Sequence, residues 1–236
     1  MIGFTGRARD GSKYDPALTL PRTGSDSGSG AFFHFWDRYG ILLTTKKSRK
    51  VDSEMEFAGN KSVITPEAVF IIGTYDESGI PNAMNAAWAM QSDMGEITIM
   101  LGKHKTTDNF EKTGAFTVAY GTADTVLISD YFGVETGNKV NKIEKAGCHV
   151  HKSAHVNAPI IEEYPLTLEC KVKSWDPATG YLIGEIVASQ ADESILTDGR
   201  VDLGKLKPII FDPSFNVYRV VGDVVGNAFK DGLKLK

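Results

Sequence analysis

The chain has 236 residues, with 26 Lys and Arg against 30 Asp and Glu for a net charge of −4, and 42% of its residues are apolar. These values suit one globular domain, or one domain with an extension, large enough to bury a core without disulfides or a structural metal. An acidic total excludes a general nucleic-acid surface, which needs a basic face to neutralise phosphates. No apolar run approaches the roughly 18 residues that span a bilayer, so neither nucleic acid nor membrane is an expected partner.

Residues 1–54 differ from the rest. They carry nine Lys and Arg against six Asp and Glu, leaving −7 on residues 55–236. GSDSGSG at 24–30 has flexible-linker composition. AFFHFW at 31–36 and ILL at 41–43 form the one apolar cluster, without the order of a secretory signal. Three readings compete: a natural extension covering a partner subunit, an added tail, or an upstream stretch translated ahead of a domain that opens at Met55. The last two fit the composition better, and the functional domain is expected at 55–236. Cys148 and Cys170 form no CxxC pair, and free thiols without a signal peptide suit a reducing, cytoplasmic location.

From Ala68 onward the chain reads as mainly β. Ala68–Tyr75 is β-branched and aromatic and ends at a DESG turn, and Asn82–Met90 returns as one strand of a hairpin. Glu96–Leu101 is a third strand. Thr106–Thr113 is a short helix, with Thr106 or Thr107 as N-cap and Gly114 as the stop. Ala115–Tyr120 is a strand, Ala123–Phe132 a helix and Gly133–Lys142 a polar loop. Leu166–Trp175 and Tyr181–Gln190 are alternating strands joined by DPATG, whose Pro and Gly occupy turn positions. A last pair is expected at Ile209–Phe211 and Val217–Val221. Helices do not alternate strictly with strands, so an antiparallel, nearly closed barrel with inserted helices fits better than a doubly wound sheet. No P-loop or GxGxxG fingerprint occurs, so any nicotinamide must bind without a Rossmann domain.

Four stretches offer chemistry. Pro81–Trp88 is a strand of small residues, with Asn82, Met84, Asn85, Ala86, Ala87 and Trp88. It reads either as ordinary packing or as a surface that a flat molecule approaches closely. Lys103, His104, Lys105, Thr106 and Asn109 lie between a strand and a helix start. They form either a solvated basic loop or an anion site built from cations, hydroxyls and helix N–H groups. Gly137, Lys139 and Lys142 fall in the polar loop. His149, His151 and His155 cluster as His-x-His and one more, which allows a metal pair but supplies no third ligand in a recognisable motif; an ordinary strand edge fits better. No GxSxG elbow or Ser/His/Asp order appears, so hydrolysis is unsupported and no catalytic side chain is assigned.

In their order, these pieces resemble the flavin reductase-like, flavoredoxin-type family of FMN-binding split barrels. The residues that carry the resemblance start with Gly79 through Trp88, then Lys105, Thr106 and Asn109, then Thr113–Val118 and Gly133–Lys142. Ala158–Glu162, Leu168–Val172, Gly184–Val187, Asp198–Asp202 and Tyr218 follow. The likeness spans about residues 60–225. It implies a Greek-key-like antiparallel barrel and noncovalent FMN, usually in a homodimer with the flavin near the subunit interface. Carried onto this chain, Asn82–Trp88 would line the ring and ribityl chain, Lys103–Asn109 would hold the phosphate, and Gly133–Lys142 would close over the cofactor. The family often has Ser before and Arg after the loop glycine, where this chain has Thr136 and Asn138 followed by Lys139. The activity implied is NADH- or NADPH-dependent reduction of flavin, with onward transfer to free flavin, oxygen, a metal or a redox partner protein. An electron carrier without nicotinamide turnover and a cofactor-free interaction barrel are the alternatives.

Overall fold

The computed structural model describes residues 66–236. The reading of residues 1–54, and the first residues of the 55–236 domain, lie outside them. In chain order come β1 (Glu67–Ala68), β2 (Phe70–Tyr75), β3 (Pro81–Ala86), β4 (Ala89–Asp93), β5 (Glu96–Met100), α1 (Lys105–Thr113), β6 (Ala115–Tyr120) and α2 (Val126–Val134). Then follow α3 (Lys142–Lys145), β7 (Val150–Lys152), β8 (Pro159–Ile161), β9 (Leu166–Asp176), β10 (Tyr181–Ala191), β11 (Leu196–Thr197), β12 (Arg200–Val201), α4 (Leu203–Leu206), β13 (Ile209–Asp212) and β14 (Val217–Val220).

The main sheet has seven strands in the order β3-β2-β6-β9-β10-β5-β4, each pair antiparallel. Its two edge strands, β3 and β4, are separated in the chain only by Ala87 and Trp88. A sheet whose opposite edges are joined by two residues must curl until those edges meet, so the sequence connectivity itself makes the barrel and places its split there. The single strand expected over Asn82–Met90 is therefore two. The chain leaves one edge at Ala86 and enters the other at Ala89, and Trp88 already accepts from the Met100 N–H on β5 at 2.8 Å.

Alternation along the strands sends Phe70, Ile72, Met84, Ile97, Ile99, Phe116, Val118, Cys170 and Leu182 into the barrel, where Phe110 of α1 plugs them. Each of the Phe, Ile, Met, Val and Leu side chains among them contributes about 1.5–3 kcal/mol by leaving water. On the opposite face of β2 and β3, Ile71 and Ala83 pack under Phe132, Ile143, Ile161 and Tyr164. β2 is thus buried on both faces, which accounts for its unbroken apolar run.

The β9–β10 hairpin turns where DPATG predicts. Gly180 sits at φ 79, and a Cβ there would meet the Leu101 carbonyl oxygen at 2.5 Å, so both the turn and the neighbouring strand end require glycine. The N-cap of α1 falls two to three positions earlier than the expected Thr cap. His104 is the N-cap, and Thr107 closes the first turn instead, accepting from the His104 N–H at 3.0 Å and donating to its carbonyl at 2.8 Å. α2 starts at Val126 rather than Ala123, because Thr122 and Thr125 bond each other and hold a turn ahead of it. It then runs on to Val134. β1, β13 and β14 form a separate three-stranded sheet.

Candidate functional site

β3, the start of α1 and the end of α2 converge on one cleft of about 280 Å³. β3 is the hub because its two faces carry different asparagines. Asn82 is buried and donates through Nδ2 to Thr106 Oγ1 at 2.8 Å, which fixes the first turn of α1 against the strand. Asn85 donates through Nδ2 to the Ser129 carbonyl at 2.9 Å, which holds α2 on the other side. Tyr218 of β14 braces the same helix by donating to Asp130 at 2.9 Å; burial, then the Asp130 carboxylate, raises its phenol above the usual range.

The loop after α2 lies directly over β3. A Cβ on Gly137 would stand 2.1 Å from Asn82 Oδ1, so no other residue fits this approach without moving the loop or displacing the Asn82 side chain from its bond to Thr106. Behind it, Lys142 is buried and donates through Nζ to the carbonyls of Phe132 at 2.9 Å and Glu135 at 3.1 Å. These are carbonyls at the C-terminal end of α2, where a cation complements the helix dipole. Burial lowers the Lys142 ammonium to about 8, with Glu135 opposing the shift. Burial also lowers His104, and the charge of Lys142 adds to it. Lys105 reaches Asp76 at 3.4 Å.

The cleft wall holds Lys105, Lys139 and Lys142 against one carboxylate, Glu135, with His104 beside them. A concave, cation-rich wall lined by hydroxyls, amides and a helix N-terminus is chemistry for an anionic ligand such as a phosphate. Met84, Phe132 and Val134 give the same cleft an apolar side.

The expected residues divide into two groups. Asn82, Met84, Asn85, His104, Lys105, Thr106, Gly137, Lys139 and Lys142 share the cleft. Ala86 faces the barrel core, and Ala87 and Trp88 form the link between the edges. Lys103 is exposed outside the cleft wall, and Asn109 is buried with Nδ2 on Thr74 Oγ1 at 3.0 Å, tying α1 to β2. Phe132, Gly133, Val134, Glu135 and Thr136 also line the cleft. The sequence signal for them was the run of loop chemistry at 133–142, hidden because α2 extends two residues into it. His149 lies just before β7 and His151 within it, and a ring nitrogen of each meets its own carboxylate, Glu163 at 2.9 Å and Glu162 at 3.2 Å. Among the described residues, no group of three or more His, Cys, Asp or Glu has the geometry to hold a metal ion.

A family model described as the flavin reductase like domain matches residues 63–205. Flavoredoxin of Desulfovibrio vulgaris (Miyazaki F) superposes with a TM-score of 0.71 and 34% identity, covering 74% of this chain and 97% of its own. Flavoredoxin from Methanosarcina acetivorans gives 0.69 and 30%, covering 75% and 97%. An FMN-binding domain of a flavin reductases-like enzyme from Shewanella baltica OS155 gives 0.61 at 19% identity over 68% and 89%, a likeness of fold alone.

Proposed function

The chain belongs to the flavin reductase-like family of FMN-binding split barrels, and from that premise we propose that it is an FMN-binding oxidoreductase that takes electrons from NADH or NADPH. The observation that carries the reading is the cleft wall. Three lysines against one glutamate line a pocket on a domain whose remainder is acidic, and one of them, Lys105, opens a nine-residue helix. Those residues fit FMN. Lys105, Thr106 and the α1 N-terminus would hold the phosphate, and Lys139 would face it from the loop. Met84 would offer an apolar contact to the flat ring, and Asn82 and Asn85, already committed to Thr106 and Ser129, keep the strand at a fixed distance from both helices. Bound FMN supplies the electron acceptance and donation; the protein's part is to bind, orient and shield it. No side chain is assigned as an acid or base. Gly137 lets the loop lie over Asn82 at that side of the cleft.

The likeness to two flavoredoxins at 34% and 30% identity favours a second reading, an electron carrier serving a redox partner protein. We propose a homodimer in either case. We place the protein in the cytoplasm on its two free thiols, Cys148 and Cys170, and among the described residues no helix is long and apolar enough to cross a membrane.

The test is purification followed by an absorption spectrum, with a flavin band expected near roughly 450 nm and release of FMN on denaturation. NADH and NADPH oxidation with added FMN then separates the readings. Turnover supports the reductase, and bound FMN without turnover supports the carrier. A colourless protein that takes up no added FMN sinks both.

A further inference from the structure

Among the described residues, two apolar surfaces have no cover. The first is the outer face of the barrel at β4, β5 and β10. With Ile99 and Leu182 pointing inward, alternation sends Met100 and Tyr181 outward as direct cross-strand neighbours, and Trp88 and Met90 flank them. All four are exposed, Met90 to 67%. The same face turns acidic at its other end. Glu96 and Glu185 stand opposite each other, Asp93 pairs with Glu96, and the lysines near them are Lys173, bonded to Glu96, and Lys171 on β9. Three carboxylates against two lysines leave that end net negative.

The second is the segment after β14. Val224, Val225, Phe229 and Leu235 are more than nine-tenths exposed and Leu233 more than half. This arm has its own polarity. Its first part, residues 221–229, is apolar but for Asp223 and Asn227, and its end, residues 230–236, carries Lys230, Lys234 and Lys236 against Asp231. The face keeps one carboxylate, Asp176 opposite Tyr181, at its apolar end and three at the other, and the arm gathers its lysines at its own end, so the two are complementary in sign where the lysines would lie.

We propose that the arm, residues 221–236, docks on the outer β4–β5–β10 face of a second copy of this chain, with Phe229 and the valines over Trp88, Met90, Met100 and Tyr181 and the lysines over Asp93 and Glu185. This assignment rests on the homodimer proposed above and names its surface. Covering the five arm side chains removes on the order of 700 Å² of apolar surface. Two arms remove about 1,400 Å² before the faces they cover are counted, which meets the roughly 1,200–2,000 Å² of a stable interface. Each copy has one arm and one face, so reciprocal exchange uses both and leaves neither open, the closure that a two-fold dimer requires.

The experiment uses the full chain and measures mass in solution by sedimentation or light scattering across a dilution series. Phe229→Asp on the arm and Met90→Asp on the face, both at exposed positions, are each expected to raise the dimer dissociation constant at least tenfold while circular dichroism stays unchanged. Two charge-reversed chains then identify the partner surfaces. One carries Lys230→Glu with Lys236→Glu, the other Asp93→Lys with Glu185→Lys. Each alone should dimerise more weakly than wild type, and an equimolar mixture should recover a heterodimer, because every arm in it meets a face of opposite sign. A wild-type monomer overturns the homodimer and this assignment together. A dimer indifferent to the four variants overturns the assignment alone, as does a mixture that fails to recover.

Discussion

Lys142 is the residue where structure and chemistry are most tightly joined. Its ammonium closes the end of α2 through two carbonyls and stands at the cleft wall, yet burial holds it near 8. The folded state therefore binds fewer protons than the unfolded chain between about pH 8 and the usual lysine value of roughly 10.4. The cost of burying the charge is fully present below that window, and Lys142's contribution to stability rises as pH climbs through it. Affinity for an anionic ligand runs the other way and falls above pH 8 as the charge is lost. We expect FMN titrations to show weakening from pH 7.5 to 9 that Lys142→Met removes and Lys142→Arg shifts beyond the range. An identical pH profile in Lys142→Met assigns the titration to another group. The lysine was visible in the sequence as one of several loop cations. Its burial was not, because nothing local to NKVNKIEK indicates that the end of a helix ten residues upstream accepts from it.

At the scale of the elements, close approach governs. A Cβ on Gly184 of β10 would meet Phe116 Cζ at 2.4 Å inside the barrel, so this strand gives up a side chain to admit the ring. Gly184→Ala is expected to cost about 1–3 kcal/mol in urea unfolding by overpacking, and Phe116→Leu in the same chain should return part of that loss. Equal stability of Gly184→Ala and wild type would show that the ring moves freely. The elements themselves were largely legible: alternation marked β9 and β10, the Asp176-to-Gly180 turn marked their hairpin, and Gly114 marked the end of α1. The break between β3 and β4 was not. Ala87 and Trp88 carry no turn chemistry, and the chain departs there only because two sheet edges far apart in strand order must meet. The N-cap was misplaced for a related reason: Thr107 satisfies the first turn from inside the helix, a role that Thr shares with the cap position itself. Of the site, the residues on β3 and at α1 were readable from type and spacing, whereas the α2 end enters the cleft through helix packing alone.

For the whole molecule, charge is partitioned rather than averaged. The acidic total coexists with a cationic cleft and with an outer face and an arm of opposite sign, so net charge describes none of the three. The strand order also has a consequence in time. The β2–β3, β4–β5 and β9–β10 hairpins are local pairings that can zip in about 1–10 μs. β5 beside β10 instead pairs Met100 with Tyr181 and so closes a loop of about eighty residues, whose entropy must be lost before the contact repays it. Barrel closure is then the slow event, on the order of milliseconds to seconds. Stopped-flow refolding should show strand signal gained ahead of the burial of Trp175, whose ring packs edge-on against Phe110. Simultaneous appearance of the two signals would mean that the hairpins have no independent life. Until that closure, β4 and β5 have only each other, and the newly made chain exposes the unpaired edges of β5 and β10 at once, a kinetic hazard that their pairing in the finished barrel removes.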